Sequence, residues 1–198
     1  MKKVDIIFAL ISGEIIAWFF YGILKNLGVQ FPGLFLVLVI LFPVLALLGL
    51  WICWVLGKKF LWIFQAGKFL LVGALATMVD LGILNFLILI SGIAKGGFYS
   101  LFKGISFIVA TCSKFLGDKF WAFEKTGKER MVKEFFQFFV VTLIGLLINV
   151  GSASLIVNVI GEQFGLEGKI LANIGGIIAA CISAIWNFLG YKHIVFKT

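Results

Sequence analysis

A chain of 198 residues with 62% hydrophobic and only 13% charged side chains lies far from the roughly 25% charged content of soluble domains. Its mean hydropathy of +1.16 leaves more apolar surface than a water-facing fold of this size can cover, which excludes a soluble globular enzyme. The net charge of +8 is concentrated between apolar runs, so it points to orientation in a membrane and not to a nucleic-acid partner.

A crossing needs about 20 apolar residues, and the sequence predicts an all-α integral membrane protein with six transmembrane helices. The first covers residues 6–24. Met1-Lys2-Lys3 ahead of it looks like the start of a signal peptide, but Glu14 interrupts the run and Trp18, Phe19, Phe20 and Tyr21 stand where a cleavage site needs small residues, so a retained helix is expected. The second, 33–56, contains Pro43 and is expected to kink there. After Gly57-Lys58-Lys59, residues 60–67 are too short to span and are expected to lie in the interface. The third covers 69–93 with Asp80 near its middle. The fourth, 98–117, carries Lys103 near one end and Lys114 near the other and has no uncharged window of 18 residues; the fifth, 135–160, and sixth, 170–190, hold no charge. Residues 1–60 thus read as an N-terminal two-helix extension and 61–198 as a four-helix transmembrane domain.

With the N-terminus inside, the inner segments hold Lys2, Lys3, Lys58, Lys59, Lys68, Lys119, Lys125, Lys128, Arg130, Lys133, Lys192 and Lys197, twelve cations, against four outside, Lys25, Lys95, Lys103 and Lys169. The positive-inside rule then places both termini in the cytoplasm. Cys53, Cys112 and Cys181 lie in apolar runs without C-x-x-C spacing, so buried free thiols are expected and neither a metal site nor a disulfide framework.

The last 130 or so residues look duplicated. Phe69-Leu70-Leu71-Val72, leading to Asp80-Leu81-Gly82, recurs as Phe138-Phe139-Val140-Val141, leading to Asn149-Val150-Gly151; Lys114-Phe115-Leu116-Gly117-Asp118-Lys119 recurs as Asn187-Phe188-Leu189-Gly190-Tyr191-Lys192; Phe123 and Phe196 close each copy. The units, 68–123 and 137–196, hold two spans each, so they enter the membrane in the same direction, as a parallel tandem repeat.

Ionisable groups within a bilayer are costly, at least about 2.5 kcal/mol at its centre, and mark function by default. Asp80 is the deepest, and Asn149 is its repeat partner. Lys114 and Asp118, four apart on one helix face, can pair. For Asp80 the alternative is a packing carboxylate; for Asn85, Asn149, Asn173 and Asn187 it is interhelical bonding. Glu14 lies outside the repeat. Phe120, Trp121, Phe123, Trp186 and Tyr191 are read as an interfacial aromatic belt. No G-x-x-x-x-G-K-[ST] loop and no metal-ligating cluster occurs, and the single histidine, His193, allows no Ser-His-Asp arrangement, so neither an enzyme nor a cofactor is expected.

Three segments carry a family resemblance: Gln65-Ala66-Gly67-Lys68-Phe69-Leu70-Leu71-Val72-Gly73 leading to Asp80; Asp118-Lys119-Phe120-Trp121-Ala122-Phe123; and Ser183-Ala184-Ile185-Trp186-Asn187-Phe188 leading to Tyr191-Lys192 and Phe196. Across about residues 65–197 the chain resembles the GtrA-like proteins. Asp118 stands where that family usually has Asn, and Lys114 where a small or polar residue is commoner. The resemblance implies a multi-pass protein of a prokaryotic cytoplasmic membrane that moves polyprenyl-phosphate-linked sugars for cell-surface polysaccharide synthesis, beside a membrane glycosyltransferase. Two alternatives stand next to this flippase: a non-catalytic anchor or scaffold of a polyprenyl-phosphate glycosyltransferase, and a small proton-coupled exporter using Asp80 or Glu14. For the first reading Lys114, Lys119 and Lys192, at the inner boundary, would meet the phosphate. Asp80, Asp118, Asn149 and Asn187 would meet the sugar, with Glu14, Asn85, Asn173, Trp186 and Tyr191 as secondary candidates. The head group is expected to pass along a polar seam between the two repeat units while the tail stays among membrane lipids, and a narrow seam favours a homo-oligomer.

Overall fold

The computed structural model describes the backbone of residues 1–197 apart from 27, 30, 94, 95, 128 and 157–167, and the side chains of these apart from 26, 96, 97, 99, 100, 103, 153 and 168–177. The chain divides into two compact units, Met1–Thr126 and Gly127–Thr198. Every regular element among the described residues is helical. The first unit contains α1 (Lys3–Asn26), α2 (Leu34–Gly57), α3 (Leu61–Ser91) and α4 (Gly96–Gly117), the last closed by a π-helical turn, Asp118–Ala122. The second contains α5 (Met131–Leu155) and α6 (Gly168–Gly190), closed by a π-helical turn at Tyr191–Val195.

The termini follow ordinary helix chemistry. α1 has Asp5 in its first turn and Lys25 in its last, each opposing the nearer end of the helix dipole. α3 stops at Gly92, whose φ of 70° is open to glycine at little cost and whose N–H donates to the Ile88 carbonyl. In the first unit α1, α2 and α3 pack on one another and α4 packs on α3; in the second α5 packs on α6. Gly13 lets α1 and α2 meet: a Cβ there would lie 2.5 Å from Pro43 Cα. Ala17, Leu34 and Leu38 are buried at the α1–α2 contact, and Ala9, Leu50, Val72 and Trp121 form a second core. The core of the second unit includes Phe138, Val141, Ala179, Phe188, Tyr191, Val195 and Phe196.

The segment 60–67 departs from expectation. It is not a separate interfacial piece: α3 starts at Leu61 and runs unbroken for 31 residues, about 46 Å at 1.5 Å per residue. The cause lies in two glycines. A Cβ on Gly67 would stand 2.7 Å from Cys53 Cβ, and one on Gly57 would stand 2.8 Å from Phe64 Cβ. Their bare backbones let the first turns of α3 lie directly along α2, so this stretch packs as helix instead of resting alone at an interface. The cysteine expectation also needs correction, since Cys53 and Cys112 are half-buried and Cys181 is exposed. A thiol is a small apolar group and is at ease on a lipid-facing helix surface.

Among the described residues five helical stretches are long and apolar enough to cross a membrane: Lys3–Lys25, Leu34–Gly57, Leu61–Ser91, Met131–Ser152 and Ile178–Val195. α4, which contains Lys103, Lys114 and four glycines, is not among them. α2 exposes Leu36, Ile40, Leu48 and Leu56, a face that suits acyl chains better than water.

Candidate functional site

The ends of the two helix pairs are built alike. In the first, Gly117 ends α4 against α3, with a Cβ placed 2.8 Å from Val72 Cγ1; in the second, Gly190 ends α6 against α5, with a Cβ placed 2.5 Å from Val141 Cγ1. Each glycine leads directly into its π-helical turn. Each turn closes on a phenylalanine, with the Phe123 N–H donating to Asp118 O and the Phe196 N–H donating to Tyr191 O, both at 2.8 Å. The wider π spacing rotates the next side chains inward, so Trp121, Ala122 and Phe123 are buried in the first unit and Tyr191, Val195 and Phe196 in the second. This corrects the interfacial-belt reading: of those aromatics only Phe120 is exposed, Trp186 is half-buried, and the other three are core.

Charge is concentrated at these turns. Lys114 pairs with Asp118 at 2.5 Å, and the Asp118 side chain is fully buried. The Lys114 ammonium also lies 4.2 Å from the centre of the Phe69 ring. Asp118 Oδ1 is buried without a hydrogen-bond partner. Burial pushes the Asp118 carboxyl up to about 6 against the opposing pull of Lys114. Lys119 is fully buried, its ammonium 5.7 Å from the Phe120 ring. In the second unit the same places hold different chemistry. Tyr191 replaces Asp118, stacks on Phe138 at 4.2 Å and shares a 2.7 Å hydrogen bond with Thr142. Asn187 replaces Lys114; its Oδ1 is also buried without a partner and presses against the bare backbone of Gly145. The Trp186 ring N–H donates to the Val141 carbonyl at 3.1 Å, and Lys192 lies 5.9 Å from the Phe188 ring.

Deeper in the helices the predicted polar residues have found neighbours. The hydroxyl of fully buried Ser106 on α4 donates to Asp80 Oδ1 on α3 at 2.6 Å. On α5, Asn149 donates to Ser183 of α6 at 3.2 Å, and Ser183 in turn donates to the Ala180 carbonyl. Among the described residues Asn85 donates along its own helix, to Leu81 O. Glu14 accepts from Trp18, also on its own helix. The Asn173 side chain lies outside the described residues. Among the described residues no three His, Cys, Asp or Glu side chains converge on a possible metal position.

A second charged group escaped the sequence reading. Lys68, 2% exposed, pairs with the equally buried Asp5 at 2.7 Å and with Glu124 at 2.9 Å; Lys2 holds the other oxygen of Glu124 at 2.6 Å. The Trp121 ring N–H donates to Asp5 at 3.1 Å, and Phe8 stacks on Trp121. Glu124 adopts φ of 52°, a left-handed conformation uncommon for a residue with a side chain, and the two lysines hold it there. The available signal was Asp5 standing among apolar residues within reach of a lysine that closes a Gly-Lys step. The sequence reading had counted that lysine as an inner-side cation and as part of the segment carrying the family resemblance, without a partner for its charge.

This group sets a pH dependence. Bonds from Lys2 and Lys68 hold the Glu124 carboxyl below its ordinary 4.5, and Glu124 holds Lys2 above 10.5. The carboxylate's contribution is therefore complete above pH 4.5 and lost as the pH falls through its lowered value. The Lys2 contribution is complete below pH 10.5 and lost as the pH rises through its raised value. Asp118 has the opposite sign: its contribution is complete below 3.8 and declines as the pH rises through about 6. Thermal unfolding of Glu124→Gln should thus differ most from the wild type at neutral pH, and the difference should shrink below pH 4.5. A constant difference across that range would refute the assignment.

The GtrA/DPMS transmembrane domain matches residues 68–196. No curated protein and no solved structure gives a significant match to the chain. The matched span begins at Lys68 within α3, includes the rest of α3, α4 to α6 and both π-helical turns, and ends at Phe196, which closes the second turn. With its apolar helices this makes the chain a multi-pass membrane protein, linked through its family to polyprenyl-phosphate sugar processes, and its family domain is of a type that is typically non-catalytic. The chain belongs to the GtrA/DPMS transmembrane domain family.

Proposed function

We propose that the protein is a translocase of polyprenyl-phosphate-linked sugars in the cytoplasmic membrane of a prokaryote, serving cell-surface polysaccharide synthesis or glycosylation. It crosses the membrane six times with both termini in the cytoplasm, as the distribution of Lys and Arg favours. Residues 1–60 are an addition to a duplicated four-helix domain. The matching glycine–valine contacts and π-helical turns of α3–α4 and α5–α6 support the duplication.

One observation carries this reading. Each helix pair holds a buried acceptor oxygen with no hydrogen-bond partner, Asp118 Oδ1 and Asn187 Oδ1. A buried polar atom left unpaired costs about 1–3 kcal/mol, and such atoms call for an explanation. Sugar hydroxyls are donors that would satisfy them. Lys114 and Lys119 in the first pair, and Lys192 in the second, supply cations for the phosphate at the same helix ends.

The test is transbilayer movement of a polyprenyl-phosphate sugar in proteoliposomes. Wild-type protein is expected to accelerate it over protein-free vesicles, and Asn187→Ala to slow it about tenfold, a barrier change of about 1.4 kcal/mol. Among the described residues Asn187 Oδ1 has no hydrogen-bond partner, so its removal breaks no internal bond there. A second reading, the anchor or scaffold of a membrane glycosyltransferase, is favoured by Asp80 and Asn149, whose bonds to Ser106 and Ser183 are what a purely structural bundle needs. Wild-type protein that moves no lipid-linked sugar yet co-purifies with a glycosyltransferase would establish that reading instead.

A further inference from the structure

The first unit has a cavity of about 500 Å³ where α1 begins, α2 ends and α3 begins, lined mostly by residues ahead of the matched span and, from within it, by Glu124. Its charged wall is largely self-compensated. Asp5 is neutralised by Lys68, and Glu124 is shared between Lys68 and Lys2. The remaining cationic side chain of the wall is Lys58, an exposed lysine whose ammonium lies 4.5 Å from the Trp54 ring centre and which makes no ion pair among the described residues. The rest of the wall is apolar, with Phe64 half-buried and Leu61 82% exposed at the edge.

We propose that this cavity binds the headgroup of an anionic phospholipid from the leaflet at that end of the helices. Lys58 meets the phosphate, and the paired carboxylates accept from headgroup hydroxyls, which favours a polyol head such as that of phosphatidylglycerol. Trp54 and Leu61 flank the glycerol and the first acyl carbons. A lipid fits better than free phosphate because an apolar edge open to the bilayer gains nothing from an inorganic ion. A single cation near the surface contributes about 1 kcal/mol toward an anionic lipid, so one lysine should produce a measurable difference in retention.

Native mass spectrometry of the purified protein with added phosphatidylglycerol or phosphatidylcholine tests this. The wild type is expected to retain phosphatidylglycerol preferentially, and Lys58→Gln to weaken that retention about fivefold. Lys59→Gln removes the same charge one residue away, from a side chain stacked over Phe60, and is expected to leave retention unchanged. Equal losses in both variants would mean a general attraction to basic surface and overturn the proposal. Unchanged retention in Lys58→Gln would overturn it too, as would displacement of the lipid by millimolar inorganic phosphate. Retention is read without transport, so failure here leaves the translocase reading standing.

Discussion

Lys68→Met will lower the stability of the protein by about 3–5 kcal/mol, because removing one partner of a buried ion pair strands the other. Asp5 is 2% exposed, and besides Lys68 its carboxylate has the Trp121 ring N–H and the Lys2 backbone N–H, two neutral donors. Neither replaces a counter-charge. Glu124 suffers less, being half-exposed and still paired with Lys2. Replacing both buried ions, Lys68→Met with Asp5→Leu, should recover most of the loss, since a well-packed apolar pair often equals a buried salt bridge. Unfolding midpoints in detergent for the two single variants and the double variant form the cycle that measures the coupling. A double variant as unstable as Lys68→Met alone would show that packing around these side chains matters, and not their charges. The effect bears on function because the network fastens the start of α1, which precedes the matched span, to the first residue of that span and to the π-helical turn beyond α4.

The all-helical, membrane-spanning character of the chain was legible because hydropathy and length alone determine it in a bilayer. Charge partners and turn geometry were not. The prediction that Lys114 and Asp118 pair needed only their spacing of four on a helix, and the pair forms. Nothing local told that α4 would widen into a π-helical turn immediately after Gly117, carrying Trp121 and Phe123 inward. Aromatic residues beside a lysine at a helix end look like interface anchors until their neighbours across the fold are known. Lys68 shows the same limit: its partners lie at positions 5 and 124, and no periodicity connects them. The 60–67 segment was misread because, taken by itself after Gly57-Lys58-Lys59, it is too short to span, whereas it forms the first turns of α3, with the missing Cβ of Gly67 serving a close approach to Cys53. Asp80 and Asn149 stood out in the sequence as polar groups within apolar runs, but spacing could not say that each would meet a serine on the neighbouring helix of its own pair.

That last point sets the sharpest functional test. Asp80→Asn keeps an acceptor for the Ser106 hydroxyl and exchanges the carboxyl for an amide of the same shape, so its unfolding midpoint should stay near that of the wild type. If the carboxylate serves the moving sugar head, transport in proteoliposomes should fall at least about tenfold, about 1.4 kcal/mol in the barrier. Asp80→Ala should lose transport and also about 1–3 kcal/mol of stability, because the fully buried Ser106 hydroxyl is left without that acceptor. Asn149→Ala should cost less stability, since Ser183 keeps its bond to the Ala180 carbonyl. Asp80→Asn and Asp80→Ala therefore separate two roles that a single truncation confounds. Full transport in Asp80→Asn would assign the carboxylate to helix packing alone. It would leave the unpartnered oxygens of Asp118 and Asn187 as the remaining polar groups that a sugar has reason to meet.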